Sequence, residues 1–102
     1  MTPSIGRIVH YTLTKDDAER ITKRRADFAK HRHTEAYTDT GYVAHFGNDA
    51  HEGDTYPAVI VRVFDTSVNL KVMLDGSDEL WALSHSEGEG PGFWAWPPRA
   101  AQ

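Results

Sequence analysis

The chain has 102 residues and no cysteine, and its 11 Lys and Arg against 15 Asp and Glu give a net charge of −4. This length suits one domain, and the lack of cysteine excludes disulfides, thiolate metal sites and cysteine nucleophiles. No stretch approaches the roughly 20 apolar residues of a membrane-spanning helix, and the first residues lack the pattern of a secretory signal. We therefore expect one intracellular domain that covers residues 1–102.

Charge is divided unevenly along the chain. Residues 1–32 hold eight of the Lys and Arg and four of the acids, whereas residues 33–102 hold three and eleven, so the two parts carry +4 and −8. Such a division indicates either a basic face for phosphate or acidic protein surfaces, or two segments that attract each other within one fold or between copies.

A strand is predicted at residues 5–13, where Ile5, Val9, Tyr11 and Leu13 share one side of an extended segment. Thr14 then fits a helix N-cap, because its hydroxyl can accept from the N–H of Asp17. A basic helix follows at residues 15–33, without proline or glycine and with a thin apolar stripe. The stripe contains Ala18, Ile21, Phe28 and the stem of Arg25.

Residues 34–56 are rich in turn-forming residues and predict a loop that is long for so small a domain. Four strands follow, at residues 57–64, 68–74, 80–84 and 93–96. The first of these is a continuous β-branched run, which predicts burial on both faces or nearly so. The second alternates, with Asn69 and Lys71 predicted to face outward. Asp75-Gly76 predicts a hairpin turn, and Pro97-Pro98 ends the last strand.

Five short strands and one inserted helix define the predicted architecture. We expect a mainly β fold, a small SH3-like β-barrel with the basic helix inserted after its first strand. An OB-like barrel remains open, since the number of strands does not separate the two.

Polar residues do not form a recognisable catalytic or metal-binding pattern. His31 and His33 point in different directions on a helix, and the loop residues His45, Asp49, His51 and Glu52 lack a known metal spacing. Ser84 and His85 are neighbours in a strand and face opposite sides, so they do not pair as nucleophile and base. No glycine-rich phosphate loop is present. We predict no catalytic residue, no metal site and no cofactor.

Aromatic residues are the more informative signal. Trp94 and Trp96 are two residues apart, so both rings project from the same side of the last strand, where Tyr11 could meet them. We expect Trp81 to fill the core and these three rings to line a groove. Arginines of the helix would supply charge beside it. The predicted contact residues are therefore Tyr11, Trp94, Trp96, Arg20, Arg24 and Arg25.

Motifs spread over nearly the whole chain support a resemblance. The more specific ones are Gly6-Arg7-Ile8-Val9-His10-Tyr11 and Trp94-Ala95-Trp96-Pro97-Pro98, with residues 43–48, 53–63, 67–70, 74–76, 81–82 and 86–88 between them. With these motifs the chain resembles small uncharacterised proteins of actinobacterial phages and prophages. That group has no assigned activity. The resemblance implies a phage accessory gene and a place in the cytoplasm of the bacterial host, and it assigns no catalytic residue.

These observations lead us to expect a non-catalytic binding protein of phage accessory type. Its partner would be a host or viral protein, and inhibition of host defence is a role that such binding could serve. Two alternatives remain open: sequestration of a nucleotide-derived signal by aromatic stacking and Arg–phosphate contacts, and nucleic-acid binding by a small barrel. The acidic residues 33–102 weigh against nucleic acid. A second copy of the chain is a further candidate partner, and no membrane contact is expected.

Overall fold

The computed structural model describes residues 1–31 and 45–98 of the chain. Its elements in chain order are the strand β1 (Ile8–Thr12), the helix α1 (Lys15–His31), and the strands β2 (Thr55–Val63), β3 (Val68–Met73), β4 (Glu79–His85) and β5 (Trp94–Ala95). The last two residues of the predicted helix, 32 and 33, and residues 34–44 of the predicted loop lie outside the described residues.

Reciprocal hydrogen bonds between Thr14 and Asp17 hold the turn from β1 into α1. Oγ1 of Thr14 accepts from the N–H of Asp17 at 2.9 Å, and Oδ2 of Asp17 accepts from the N–H of Thr14 at 3.0 Å. This is a capping box in which aspartate takes the place of the usual glutamate, and it satisfies a donor that helix geometry leaves unpaired. The prediction of Thr14 as the N-cap is confirmed.

The five strands form one antiparallel sheet with the order β4-β3-β2-β1-β5. β2, β3 and β4 follow one another as a meander, and β5 returns to pair with β1 on its free side. The segment after β4 then reaches β5, because the N–H of Trp94 donates to the carbonyl of Ser86 at 3.2 Å and the N–H of Gly88 donates to the carbonyl of Trp94 at 2.9 Å. The ends of the sheet are thereby joined into a small barrel. The predicted mainly β fold with one helix after the first strand is confirmed, and its meander order fits the SH3-like prediction better than a Greek-key OB barrel.

The hydrophobic core lies between the inner face of the sheet and α1. Alternate residues of the strands point inward, and Ala18, Ile21 and Phe28 supply the buried stripe of α1, as their spacing predicts. The buried cluster includes Val9, Tyr11, Leu13, Ile21, Ala58, Ile60, Val68, Leu70, Val72, Leu80, Ala82 and Trp94. Within the described ranges, no helix combines the length and the apolar character that a bilayer crossing requires.

Strand bounds differ from the predicted ones where the chain leaves the sheet. β1 begins at Ile8 rather than at residue 5, and Ile5 is 72% exposed. β2 covers Thr55–Val63 rather than 57–64, and β3 ends at Met73 rather than at 74. β4 covers Glu79–His85 rather than 80–84, and β5 contains only Trp94–Ala95 rather than 93–96. The sequence pattern locates each strand but not its last paired residue.

The prediction that β2 is buried on both faces is wrong. Ala58 and Ile60 point into the core, but Val61 and Val63 are each 39% exposed. A continuous β-branched run shows that a strand forms, but it does not show which of the two faces another element covers.

Asn69 also departs from its predicted outward position. It is 7% exposed, and its Oδ1 accepts from the N–H of Ser84 at 2.8 Å. The register between β3 and β4 shifts beside this residue, between Val68 and Leu70, and Ser84 has a φ of 59°. The buried amide oxygen thus satisfies a backbone donor that the shifted register does not pair within the sheet.

Two glycines allow the segment before β2 to cross the turn between β3 and β4. Gly47 and Gly76 form an isolated antiparallel bridge. A Cβ atom at Gly76 would lie 2.5 Å from the carbonyl oxygen of Phe46 and 2.9 Å from Nη2 of Arg25. Since no side chain fits at this distance, the crossing requires glycine, and it places the backbone directly against the Arg25 guanidinium.

Candidate functional site

The ring of Tyr11 lies inside the barrel. It is 0% exposed, its hydroxyl donates to Oδ2 of Asp17 at 2.5 Å, and Nε2 of His85 lies 3.5 Å from the same hydroxyl oxygen. Burial, followed by the hydrogen bond to Asp17, raises the pKa of Tyr11 far above its ordinary value. Contrary to the prediction of a groove, Tyr11 offers no ring face to a ligand, and it ties α1 to β1 instead.

Asp17 receives the hydrogen bonds that join β1, the helix cap and the first turns of α1. Burial alone would raise the pKa of this carboxyl, but hydrogen bonds from Tyr11, Thr14 and Arg20 outweigh it and hold the pKa below its ordinary value. Nη2 of Arg20 lies 3.0 Å from Oδ1 of Asp17, while the Arg20 side chain is 55% exposed. Arg20 is therefore at the surface, as predicted for a contact residue, but its guanidinium already has an internal partner.

Trp94 is a core residue, and Trp96 packs against it. Trp94 is 2% exposed, and its Nε1 donates to the carbonyl of His85 at 3.1 Å. The two indole rings meet edge to face with centroids 5.5 Å apart, and the guanidinium carbon of Arg7 lies 5.1 Å from the centroid of Trp96. The two-residue spacing correctly predicts that the rings lie on the same side. The predicted open groove is wrong for Trp94, and Trp96 is half-buried beneath Arg7.

Arg25 is fixed inside the protein by Asp78. Its Nη2 and Nε lie 2.9 and 3.2 Å from the two carboxylate oxygens, and its Nη1 donates to the carbonyl of Asn48. The side chains of Arg25 and Asp78 are 12% and 0% exposed. Burial alone would raise the pKa of Asp78, but the hydrogen bond and the charge of Arg25 hold it below its ordinary value.

Arg24 completes this cluster from the neighbouring helix position. Its Nη2 donates to the carbonyl of Glu79 at 3.0 Å and lies 3.9 Å from Asp78, and its side chain is 34% exposed. Arg24 and Arg25 thus join α1 to the turn between β3 and β4. The two guanidinium groups predicted to meet phosphate have partners within the fold.

The opposite face of the sheet is apolar and open to solvent. Ile8 pairs with Val59, Val59 with Lys71, and Lys71 with Trp81, so these four side chains form a row across β1, β2, β3 and β4. At the usual strand spacing this row is about 14 Å wide. We call this surface the outer sheet face and include in it Ile8, Val59, Val61, Lys71, Met73, Glu79, Trp81 and Leu83.

Large apolar side chains on the outer sheet face remain uncovered. Ile8 is 54% exposed, Met73 51%, Trp81 54% and Leu83 56%. Antiparallel sheets with one solvent-facing side usually alternate apolar and polar residues, so an apolar outer face is unusual. Lys71 and Glu79 are charged residues of this face, and Nζ of Lys71 lies 3.3 Å from Oε1 of Glu79. The exposed Arg62, which pairs in register with Asn69, lies at the margin of the face.

Trp81, rather than Trp94, is the tryptophan at the surface. Trp81 and Leu83 alternate with Leu80 and Ala82 in β4, so both faces of the strand carry apolar residues and the pattern does not choose between them. The pairing with β3 does choose, because Leu70 and Val72, which face the core, lie opposite Ala82 and Leu80. The prediction that Trp81 fills the core is wrong for this reason.

Histidines and acids do not assemble into a metal centre in the described part of the chain. No group of three or more His, Asp or Glu side chains there is placed to hold an ion. Nδ1 of His45 lies 3.7 Å from Asp78, and Nδ1 of His51 lies 3.8 Å from Asp54, each as part of a pair. His31 is the last residue of α1, and His33 lies outside the described residues.

Comparison with known proteins adds no family to this geometry. No protein-family model matches the chain, and no curated protein or solved structure matches it. The resemblance to actinobacterial phage proteins therefore stays a prediction. Among the described residues, the outer sheet face is the candidate site, because it exposes large apolar side chains of this chain.

Proposed function

We propose that the protein is a non-catalytic binding protein of phage accessory type that recognises a host or viral protein through the outer sheet face. The observation that carries this proposal is the exposure of Trp81 and Leu83, at 54% and 56%, on the outer side of β4. Exposed apolar clusters of this kind on small proteins commonly mark sites of protein contact.

Trp81 is the expected centre of the contact. Its exposed part offers on the order of 100 Å² of rigid apolar surface, and tryptophan is enriched among residues whose truncation costs the most binding energy. Met73 and Leu83 lie beside it on the same face, and methionine adapts to irregular partner surfaces. The arrangement fits a partner with an apolar pocket for the indole ring and apolar surface around that pocket.

The charges of the outer sheet face favour a protein over a phosphate-bearing partner. Lys71 and Glu79 form a pair at 3.3 Å, so together they present no net charge. Nucleic-acid binding requires unpaired cations along the contact, because the phosphate backbone dominates the affinity. Arg24 and Arg25, which were the candidates for phosphate contacts, are bonded to Glu79 and Asp78.

In the cell, the protein would act in the cytoplasm of the bacterial host. Binding would inhibit the partner, such as a defence protein, by covering the surface on which the partner's own activity depends. This role follows from the resemblance to phage proteins and from the outer sheet face together.

The test is affinity capture from an actinobacterial lysate, followed by reconstitution with the purified partner. We expect one retained protein, whose dissociation constant rises about thirtyfold in Trp81→Ala, a loss of about 2 kcal/mol in binding free energy. Ile5→Ala is the matched control, because Ile5 is also highly exposed but lies outside the sheet. Its dissociation constant should equal that of the wild type.

Two results would contradict the proposal. One is a partner whose affinity is the same for wild type and Trp81→Ala. The other is substrate turnover by the purified protein that survives repurification and disappears with a single polar substitution, since that would make the protein an enzyme.

A further inference from the structure

Two irregularities of the sheet lie on either side of Asn69. On one side, the register between β2 and β3 shifts just before Arg62, which is paired with Asn69. On the other side, the register between β3 and β4 shifts at the same level, and Oδ1 of Asn69 accepts from the N–H of Ser84 at 2.8 Å. Irregularities of this kind bend a strand and change the direction of its side chains.

These irregularities enlarge the outer sheet face at one end. A regular strand with one covered face exposes every second residue. Beside Asn69, however, two residues in succession are exposed in each neighbouring strand, Val61 and Arg62 in β2 and Leu83 and Ser84 in β4. Two strand spacings separate β2 from β4, so the backbones of Arg62 and Leu83 lie about 10 Å apart. A cation and a large apolar side chain thus flank this end of the face.

The charge of Arg62 is not neutralised within the fold. Within the described ranges, its guanidinium has no ion pair or hydrogen bond, and its central carbon lies 5.3 Å from the centroid of the Phe64 ring. Contact with an aromatic ring orients a guanidinium and leaves its N–H donors available. Lys71, by contrast, lies 3.3 Å from Glu79. Arg62 therefore differs from Lys71 and from the bonded arginines of α1.

We propose that Arg62 receives a carboxylate of the partner protein, so that the outer sheet face recognises an acidic side chain beside an apolar surface. This inference rests on the proposed function, because it takes the outer sheet face as the contact surface. Apolar side chains of the partner would cover Trp81 and Leu83, and an Asp or Glu of the partner about 10 Å from Leu83 would meet Arg62. A guanidinium binds a carboxylate through two parallel hydrogen bonds, which fixes the orientation of the pair.

A single free guanidinium fits a carboxylate better than a nucleic-acid backbone. Nucleic-acid binding depends on a series of cations, because the phosphates dominate the affinity. The chain as a whole carries a net charge of −4, which does not favour an acidic partner in general. The local contact with Arg62 would therefore set the orientation of the partner more than its affinity. A partner turned end for end would lose this contact.

Selection from a library of random short peptides against the wild-type protein tests the inference. Selected peptides should contain Asp or Glu together with apolar residues, and their dissociation constants should rise about fivefold in Arg62→Gln. Changing the acid of a peptide to its amide should remove this difference. Lys23→Gln is the matched control, because it removes one charge from an α1 side chain that is 77% exposed away from the sheet. It should bind like the wild type.

Salt dependence gives a second measurement that uses the wild-type protein. Binding of a selected peptide to the wild type should weaken as the salt concentration rises, and binding to Arg62→Gln should change much less. Equal salt dependence of the two proteins would overturn the inference.

The remaining outcomes separate this inference from the proposed function. Selected peptides without an acid, or an acid whose loss costs the same in wild type and Arg62→Gln, would overturn the inference alone if binding still requires Trp81. Peptide binding that Trp81→Ala leaves unchanged would contradict the proposed function itself, and selection of no peptide would contradict both. Binding of duplex DNA that Arg62→Gln abolishes would also overturn the inference, since Arg62 would then meet phosphate.

Discussion

Two regions of the protein distribute polar and apolar side chains in opposite ways. One is the junction between α1 and the sheet, and the other is the outer sheet face. At the junction, Asp17 and Asp78 are buried, with 4% and 8% of the whole residue exposed, and each is bonded to an arginine of α1. On the outer sheet face, Trp81 and Leu83 are more than half exposed. A buried carboxylate that accepts several hydrogen bonds has the partners it needs, whereas covering an apolar ring that lies in water lowers the free energy of the system. This difference is why we place stability at the junction and propose recognition on the outer sheet face.

The bonds at the junction also account for the basic character of α1. A row of arginines on a helix is easily interpreted as a site for phosphate, yet Arg20, Arg24 and Arg25 each bond to a carboxylate or a carbonyl of this chain. The pairing of Arg25 with Asp78 thus joins the basic residues 1–32 to the acidic residues 33–102 within one fold.

The largest effect is expected from breaking the junction at Asp78. Asp78→Ala leaves the Arg25 guanidinium buried without its carboxylate, and we expect the free energy of unfolding to fall by about 3 to 5 kcal/mol. Urea denaturation measures this change. Lys23→Ala is the matched control, because Nζ of Lys23 lies 2.9 Å from Oδ2 of Asp27 on an exposed part of α1. Its loss should cost less than about 1 kcal/mol. Equal losses for the two variants would show that burial does not distinguish these ion pairs.

A smaller loss is expected at the glycine crossing that supports Arg25. Gly76→Ala would place its Cβ 2.5 Å from the backbone oxygen of Phe46, so the backbone must move, at about 1 to 3 kcal/mol of unfolding free energy. For Gly88→Ala the nearest atoms belong to the side chain of Phe93, which is 42% exposed and can move away. We therefore expect a clearly smaller loss for Gly88→Ala in the same urea experiment. The reverse order would contradict the requirement for glycine at the crossing.

Acid should weaken the junction gradually. Asp17 and Asp78 both have a pKa below the ordinary value in the folded protein. Their contribution to stability is complete above the unfolded pKa, about 3.9, and is lost as the pH falls through the lower folded value. The free energy of unfolding should therefore decrease below about pH 4, as followed by urea denaturation at several pH values. Asp17→Asn should flatten this decrease, and an unchanged slope would exclude Asp17 as one of its causes.

The smallest effect on stability is expected on the outer sheet face. Trp81→Ser removes a ring that is 54% exposed, and the free energy of unfolding should change by less than about 1 kcal/mol. Trp94→Ser, at a ring that is 2% exposed, should cost several times more. Thermal unfolding of the two variants makes this comparison directly. A large loss of unfolding free energy in Trp81→Ser would mean that the ring stabilises the fold, and this would contradict the assignment of Trp81 to recognition.

Local patterns in the sequence predict the elements of the fold well. The helix cap at Thr14, the apolar stripe of α1 and the alternation in β3, apart from the buried Asn69, all depend on residues close to one another in the chain. Each pattern has a direct physical cause in helix or strand geometry. The strands and the inserted helix therefore follow from the sequence, and with them the mainly β class.

The candidate site could not be predicted in the same way. Trp81 and Trp94 both lie in short apolar strands, and only the pairing of β4 with β3 and of β5 with β1 decides which ring faces the core. Arg25 and Asp78 are 53 positions apart, so no local spacing indicates that they meet. Exposure and ion pairing across the fold depend on tertiary contacts that periodicity does not contain.

Photo-crosslinking from the outer sheet face tests the central claim most directly. A benzoylphenylalanine at position 73, where Met73 is 51% exposed beside Trp81, would be compared with one at position 23, where the Lys23 side chain is 77% exposed on α1. In host cells we predict a specific protein adduct from position 73 and none from position 23. An adduct from position 23 alone, or none from either position, would contradict recognition through the outer sheet face.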